Sequence, residues 1–392
     1  MSSSPSTVPM THGELLDLLR SRGPTTRRDL LALSRLSRST LVERLETLEG
    51  LDLVREGARR QSGQGRPPVM LEFDDTSRTT LAVDLGARHV LVAITDLSAR
   101  VLAAERFATD LAGRPRTVLN RIIKAARRML ETQGRGSQGV LGVGMSFPGL
   151  ERPDGAIEAP AVLAHWDGFH ASEMLSDAFG VPAVLVNDAH ALAYGEYLAD
   201  GRRRTLLAVK VSTGIGAGLV IDGRLHRGDS HGAGQFGHMR VAGLDELCTC
   251  GERGCLATFA SGRALVRRLA SEGIESVDDI AKAAANGNEP TLSALREAGK
   301  AIGLALAGVA TMLDPGTIRF GGTLGQLPAF LDAACEEIQH LTYTRTAGGI
   351  EIGPTVLGDQ SGVTGLAALV VDTELDARAV DRLVAGTSGR SA

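Results

Sequence analysis

Lysine is nearly missing from this sequence. Only Lys124, Lys210, Lys282 and Lys300 occur, so arginine supplies 38 of the 42 basic side chains, a bias that reads as the mark of a GC-rich genome rather than of a function. A run of about 18 apolar residues is also missing, which excludes an ordinary membrane-spanning helix. The stretch Met1 to Met10 is rich in Ser and Pro and has no apolar core of a secretory signal, so the expected location is the cytoplasm. Net positive charge is absent too. The chain carries −4 at neutral pH, which gives no overall attraction to nucleic acid but leaves room for a basic module inside an acidic average.

What is present begins with length. At 392 residues, with 43% hydrophobic and 22% charged side chains, the chain is globular and too long for one core, so two or three domains are expected. The basic module is at the N-terminal end. Between Arg20 and Arg66 eleven arginines face six acids, a local net charge of +5. Leu15, Leu16, Leu18 and Leu19 mark a first helix stopped by Gly23-Pro24. Thr26 and Asp29 resemble a capping box that opens a second helix. Ser37 is placed to cap a third, in which Leu41, Leu45 and Leu48 share one face and leave Arg38, Ser39, Thr40, Glu43 and Arg44 outward.

Two strand-like runs, 51–56 and 69–73, then flank a loop rich in Gly, Arg and Pro. This is the pattern of a winged helix-turn-helix. Its third helix would meet the major groove of duplex DNA through Arg38, Ser39, Thr40 and Arg44, and the wing segment Gly65-Arg66-Pro67 would lay Arg66 in the minor groove. A small helical protein-interaction module with merely solvated arginines is the competing possibility.

Beyond a boundary at residues 74–77 the pattern changes to α/β. Three strand-like runs lie between 81 and 107, followed by a helix at 114–133 and further strands at 140–146 and 181–186. The segment 207–225 repeats the scheme of 81–102, which suggests two related lobes facing a cleft. The expected division is a terminal segment 1–10, a DNA-binding domain 11–75, lobes at 79–198 and 199–385, and a tail 386–392.

Three motifs carry chemistry. The loop Thr213 to Gly218 has glycines that could expose backbone N–H groups to a phosphate, or simply form a tight turn. Asn187-Asp188 at a strand end could bind a hydroxyl or supply a general base, or could cap the next helix. The most specific motif is His238 with Cys248, Cys250 and Cys255, one imidazole and three thiols within 18 residues. Such a set fits a closed, structural Zn2+ site, whereas a disulfide is disfavoured in a reducing cytosol.

Taken together, these motifs and the segment Leu313 to Gly322 resemble the ROK family (repressor, open reading frame, kinase), over about residues 79 to 370, and the winged helix is similar to that of the family's repressor branch. The resemblance implies a two-lobed, actin-like ATPase/sugar-kinase (ribonuclease H-like) fold, assembly into a homodimer or homotetramer, and sugar-responsive control of a DNA operator, an inverted repeat if the chain dimerises. It also implies ligand contacts at Asn187, Asp188, Gln235 and His238, with Asp188 at the position of the kinase base.

Three departures point away from kinase chemistry. Gln235 and Ala257 stand where the family usually has Glu, and Ala87-Arg88 stand where kinases have Gly-Thr beside the phosphates. The expectation is therefore a regulator without catalytic residues, with an ATP-dependent sugar kinase or a bifunctional kinase-regulator as the alternative.

Overall fold

The structure is a computed structural model, and it describes residues 9–59, 69–134, 139–201, 204–343, 346 and 348–388. The wing residues Gly65, Arg66 and Pro67 lie outside the described residues.

The N-terminal unit forms as the leucine spacing requires. Helix α1 (His12–Arg22) opens on a reciprocal cap, with the Glu14 N–H donating to Thr11 Oγ1 at 3.2 Å and the Thr11 N–H donating to Glu14 Oε2 at 2.7 Å. Strand β1 (Thr25–Thr26) leads into α2 (Arg27–Ser34) and α3 (Arg38–Gly50). At Thr26 the expected box is only half made. The Asp29 N–H donates to Thr26 Oγ1, but the short Asp29 carboxylate accepts from the Thr26 hydroxyl instead of reaching the backbone. The Thr40 N–H donates to Ser37 Oγ at 3.1 Å, and Leu41, Leu45 and Leu48 are buried, as the periodicity predicts. Strands β2 (Val54–Arg59) and β3 (Val69–Phe73) complete a three-stranded sheet of order β1-β3-β2.

Two five-stranded sheets follow. The first contains β4 (Thr79–Leu85), β5 (His89–Asp96), β6 (Val101–Ala108) and, after α4 (Pro115–Thr132), β7 (Val140–Phe147). The short hairpin β8 (Leu150–Glu151) and β9 (Ile157–Glu158) and helix α5 (Ala171–Phe179) lead to its last strand, β10 (Ala183–Asn187). Its order is β10-β7-β4-β5-β6. Helix α6 (Asp188–Ala199) then enters the second sheet, which contains β11 (Thr205–Val211), β12 (Ile215–Ile221) and β13 (Arg224–Leu225).

A long loop and helices α7 (Ala257–Ala260), α8 (Gly262–Arg268), α9 (Val277–Ala285) and α10 (Glu289–Leu313) precede β14 (Thr317–Gly321). Helices α11 (Gly322–Gly325) and α12 (Pro328–Leu341), strand β15 (Glu351–Pro354) and helices α13 (Ser361–Glu374) and α14 (Ala377–Ser388) close the chain. The order β15-β14-β11-β12-β13 reproduces that of the first sheet, parallel and antiparallel pairings included, so the repeat at 81–102 and 207–225 is a repeat of topology.

The lobes exchange helices. Helix α6 leaves the first sheet and packs on β11 and β12 of the second, whereas α13 leaves the second sheet and packs on β4 and β7 of the first. The two helices cross closely because neither has a side chain at the contact. A Cβ on Gly195 would stand 2.0 Å from the Ser361 carbonyl oxygen, and one on Gly365 would stand 1.9 Å from that of Ala191. Helix α13 therefore belongs to the first lobe, not to the second as the expected division at 198/199 placed it.

Helix α14 likewise docks on α1, where the Gly13 N–H donates to Asp381 Oδ1 at 2.9 Å. The N-terminal unit shares its hydrophobic core with Leu97, Leu141, Val371, Leu375 and Val380 of the larger body. Arg20 on α1 reaches Asp372 Oδ1 at 2.5 Å, and Asp372 Oδ2 accepts from the Tyr194 hydroxyl of α6.

Candidate functional site

A cleft of about 1370 Å³ lies between the two sheets. The ends of β10 and β11, the turn after β4, the 234–238 segment and the Cys-rich loop line it, along with the starts of α8 and α11. It gathers residues that are far apart in sequence, among them Asp84, Asn187, Asp188, Lys210, Gln235, His238 and Asp359.

The Asn187-Asp188 pair divides the two roles open to it. Asn187 is the cap. Its Oδ1 accepts from the N–H groups of Ala189 and His190 at 2.9 and 3.4 Å, and its Nδ2 donates to the Gly149 carbonyl at 2.9 Å. Asp188 is left to face the cleft, where the Lys210 ammonium lies 3.0 Å from its Oδ2. Burial alone would lower the pKa of Lys210, but the charges of Asp188 and then Asp84 hold its ammonium above the usual lysine range.

Lys210 was not singled out from the sequence. The visible signal was one of only four lysines, on an otherwise apolar strand just before the Gly-rich turn. Buried His190 was missed as well. Its Nε2 is 2.9 Å from the Ala233 carbonyl, which ties α6 to the segment carrying Gln235.

The Gly-rich loop only partly matches expectation. The turn itself is Ser212 to Gly214, closed by the Ser212 N–H donating to the Gly214 carbonyl at 2.9 Å, and Thr213, Gly214 and Gly216 do line the cleft. Gly218 lies in β12 against α6, where a Cβ would stand 2.5 Å from the Ala189 carbonyl oxygen, so its missing side chain serves helix packing. On the opposite wall Ala87 lines the cleft, whereas Arg88 is exposed and is not part of the lining. Gln235 is exposed and Ala257 opens α7, both on the cleft wall, so neither position presents a carboxylate.

The four ligand atoms of His238, Cys248, Cys250 and Cys255 all fall within 4.8 Å of one another. The Cys250 and Cys255 sulfurs are 3.7 Å apart, and His238 Nδ1 is 3.6 Å from the Cys248 sulfur. Tetrahedral Zn2+ with bonds of about 2.3 Å to sulfur and about 2.05 Å to nitrogen would set these separations near 3.8 and 3.6 Å. A disulfide would require about 2.05 Å, and all three cysteines are free thiols. Burial and the neighbouring thiols push Cys255 up to about 12, while burial lowers the pKa of the His238 imidazole. The set therefore fits a metal ion, whose charge would let all three thiols ionise. Because His238 turns Nδ1 toward the sulfurs, its Nε2 is the atom left to serve the cleft, which it also lines.

On the N-terminal unit, Ser37, Ser39 and Thr40 form a hydroxyl cluster at the start of α3, with Ser37 Oγ 2.9 Å from Ser39 Oγ and 2.8 Å from Thr40 Oγ1. Arg38 and Ser39 are exposed there, as expected. Arg44 departs from the expected outward placement. It is half-buried, its Nη1 is shielded without a partner, and its charge adds to burial in lowering the pKa of His12 on α1. The cause is the close packing of α1 on α3, which covers position 44 beside the leucine face.

Among the described residues no helix is long and apolar enough to cross a membrane. The model of the ROK family matches residues 80–373. The chain is 27% identical to a xylose repressor of Bacillus subtilis over 366 residues, 92% of this chain and 95% of that protein. It is also 27% identical to a glucokinase of Streptomyces coelicolor, but over 74% of this chain and 96% of that enzyme.

Among solved structures, a ROK family transcriptional regulator described as a homologue of the Escherichia coli MLC protein superposes with a TM-score of 0.78. It covers 95% of this chain and 98% of its own at 23% identity, so it shares the fold. A ROK family glucokinase from Streptomyces griseus, in complex with glucose and AMPPNP, superposes with a TM-score of 0.65 at 27% identity, over 74% of this chain and 98% of its own.

Proposed function

The chain belongs to the ROK family, and from that premise we propose that it is a cytoplasmic, DNA-binding transcriptional repressor whose kinase-like cleft senses a sugar without phosphorylating it. One observation carries this most: a winged helix with an exposed Arg38 and Ser39 and a half-buried Thr40 at the start of α3 shares its core with the ROK body. Consistent with this, the xylose repressor aligns over 92% of the chain, whereas the glucokinase aligns over 74%. Arg38, Ser39 and Thr40 would meet phosphates and base edges in the major groove, and Arg44 would join them by swinging out from beside His12. Gly65, Arg66 and Pro67 are assigned to the minor groove on sequence grounds alone.

In the cleft, Asp188 and the Nε2 of His238 would accept and donate hydrogen bonds to ligand hydroxyls, with Gln235 and the remaining amide hydrogen of Asn187 beside them. Xylose is the first sugar to test. His238, Cys248, Cys250 and Cys255 would hold one structural Zn2+, which fixes the loop on the cleft wall and thereby orients His238. A homodimer or homotetramer would present two winged helices to an inverted repeat.

The experiment is selection of bound fragments from genomic DNA, followed by a coupled assay for ATP-dependent phosphorylation of xylose and common hexoses. Enrichment of a common inverted repeat with no phosphorylation supports the proposal. Turnover of a sugar at ordinary enzymatic rates would favour the kinase alternative, for which Asp188 and the Ser212 to Gly214 turn remain in place.

A further inference from the structure

A phosphoryl-transfer cleft has two requirements that the chain itself must meet. Its general base needs a free lone pair aimed at the attacking hydroxyl, and its converging carboxylates need a cation that arrives with the nucleotide. The Lys210 ammonium bears on both here. It engages Asp188 Oδ2 at 3.0 Å, which leaves Oδ1 to accept from a ligand hydroxyl. Asp188 contacts that ammonium, and Asp84 and Asp359 line the same cleft and add their charge to it from different elements. Asp188 comes from the start of α6, Asp84 from the end of β4, and Asp359 from the turn before α13.

Each of these acids is also held in place. The Ser146 hydroxyl donates to Asp84 Oδ1 at 2.5 Å, Gly362 packs directly against the Asp84 carboxylate, and Arg106 of β6 pairs with Asp359. Lys210 and Asp188 are each only 18% exposed, so a bulky charged group cannot reach Asp188 without moving the ammonium, whereas Asp359 is 72% exposed and pairs with Arg106.

We infer that Lys210 is the specificity-determining residue of the cleft, a built-in cation standing where a metal–nucleotide would have to place its own, so that the ligand is read without nucleotide or divalent metal. Lys210 also fixes Asp188 as a hydrogen-bond acceptor for a neutral ligand. The inference rests on the non-phosphorylating function proposed above and adds its physical cause. Displacing the ammonium would strand it in a low-dielectric site while bringing in a group that must shed its own water, so a metal–nucleotide meets a double penalty.

Removing the lysine should reverse the preference. The full-length protein and its Lys210→Met variant are titrated with Mn2+ and with Mg2+ plus AMPPNP, read by calorimetry and by Mn2+ electron paramagnetic resonance. Zinc content is checked in both. The expected result is weak or no binding of either probe by the parent, and Mn2+ binding tightened roughly tenfold or more in Lys210→Met, as unmasking of one unit of negative charge at close range requires.

Because the unpaired acids could unfold the variant, Lys210→Met is also made together with Asp188→Asn. The double variant should fold and should lose much of the gained Mn2+ affinity. Parent protein that binds Mg2+ with AMPPNP as tightly as the variant does, or Lys210→Met that folds and gains no Mn2+ affinity, overturns the inference. If the single variant does not fold, the inference stands or falls on the parent's titration with AMPPNP and on a double variant whose Mn2+ affinity still exceeds the parent's. The two levels fail separately. Sugar phosphorylation by the parent would sink the proposed function, whereas a non-phosphorylating parent with an unresponsive variant would sink only the role of Lys210.

Discussion

Replacing Asp372 by Ala removes a side chain that joins three parts of the molecule. Its Oδ1 lies 2.5 Å from Arg20 Nη2 of the winged helix, and its Oδ2 accepts from the Tyr194 hydroxyl of α6. Truncation leaves the Arg20 guanidinium, 21% exposed, with only a distant Asp17 at 3.9 Å, the Leu375 carbonyl at 3.4 Å and the face of Phe73. It also leaves the largely buried Tyr194 hydroxyl without its acceptor. A charge-assisted bond is worth about 1.5–3 kcal/mol when buried, but Asp372 is 40% exposed and solvent screens it. The expected loss is therefore about 1–3 kcal/mol.

Urea unfolding of the single variants Asp372→Ala and Arg20→Ala and of the double variant should return a coupling energy of about 0.5–2 kcal/mol. Limited proteolysis should cut faster at the 74–77 junction. Burial, then Asp372, raises the pKa of Tyr194 above its usual value of 10.0, so this contact stabilises fully below about pH 10 and weakens as the pH rises past it. A coupling energy indistinguishable from zero, with unchanged proteolysis, would refute the view that this contact docks the winged helix.

Three further outcomes follow from the packing and the Cys-rich loop. Gly195→Ala should destabilise the protein by about 1–3 kcal/mol or more, because its Cβ would press on the Ser361 carbonyl, whereas Gly308→Ala, in open space on α10, should stabilise it by about 0.5–1 kcal/mol. Denaturant titration checks both, and equal effects would contradict the crossing of α6 and α13. Arg319→Met strips the cation from Asp200 at 2.8 Å and Glu351 at 2.5 Å at a site 6% exposed, so a loss of about 3–5 kcal/mol is expected in the same assay. Metal analysis should find about one zinc per chain, with chelation or Cys250→Ser lowering the melting temperature, and protein purified without zinc and with a disulfide would remove the metal site.

Much of this architecture was legible because it is written in local signals. The leucine spacing of α3 and its Ser37 cap, and the alternation shared by 81–102 and 207–225, are short-range patterns, and the structure repeats them at the same residues. The Cys-rich loop was legible because few other uses require three thiols and an imidazole so near in sequence.

What escaped depends on contacts between distant segments. The exchange of α6 and α13 between lobes and the docking of α14 on α1 leave no periodic mark. Gly218 looked like part of a phosphate loop because a glycine kept for helix approach has the same letter as one kept for a turn. Lys210 was invisible for a related reason: its meaning lies in Asp84, Asp188 and Asp359, which are 126, 22 and 149 residues away.

The most direct test of the central claim is fluorescence anisotropy of the full-length protein on a DNA fragment enriched from the genome, against a scrambled duplex of equal length, with and without xylose or another candidate sugar. The account predicts binding to the enriched fragment about a thousandfold or more tighter than to the scrambled one, weakening steeply with salt, and shifted about fivefold or more by one sugar in the absence of ATP. Equal affinity for the two duplexes, or an operator affinity indifferent to every sugar while the protein phosphorylates one of them, would contradict it.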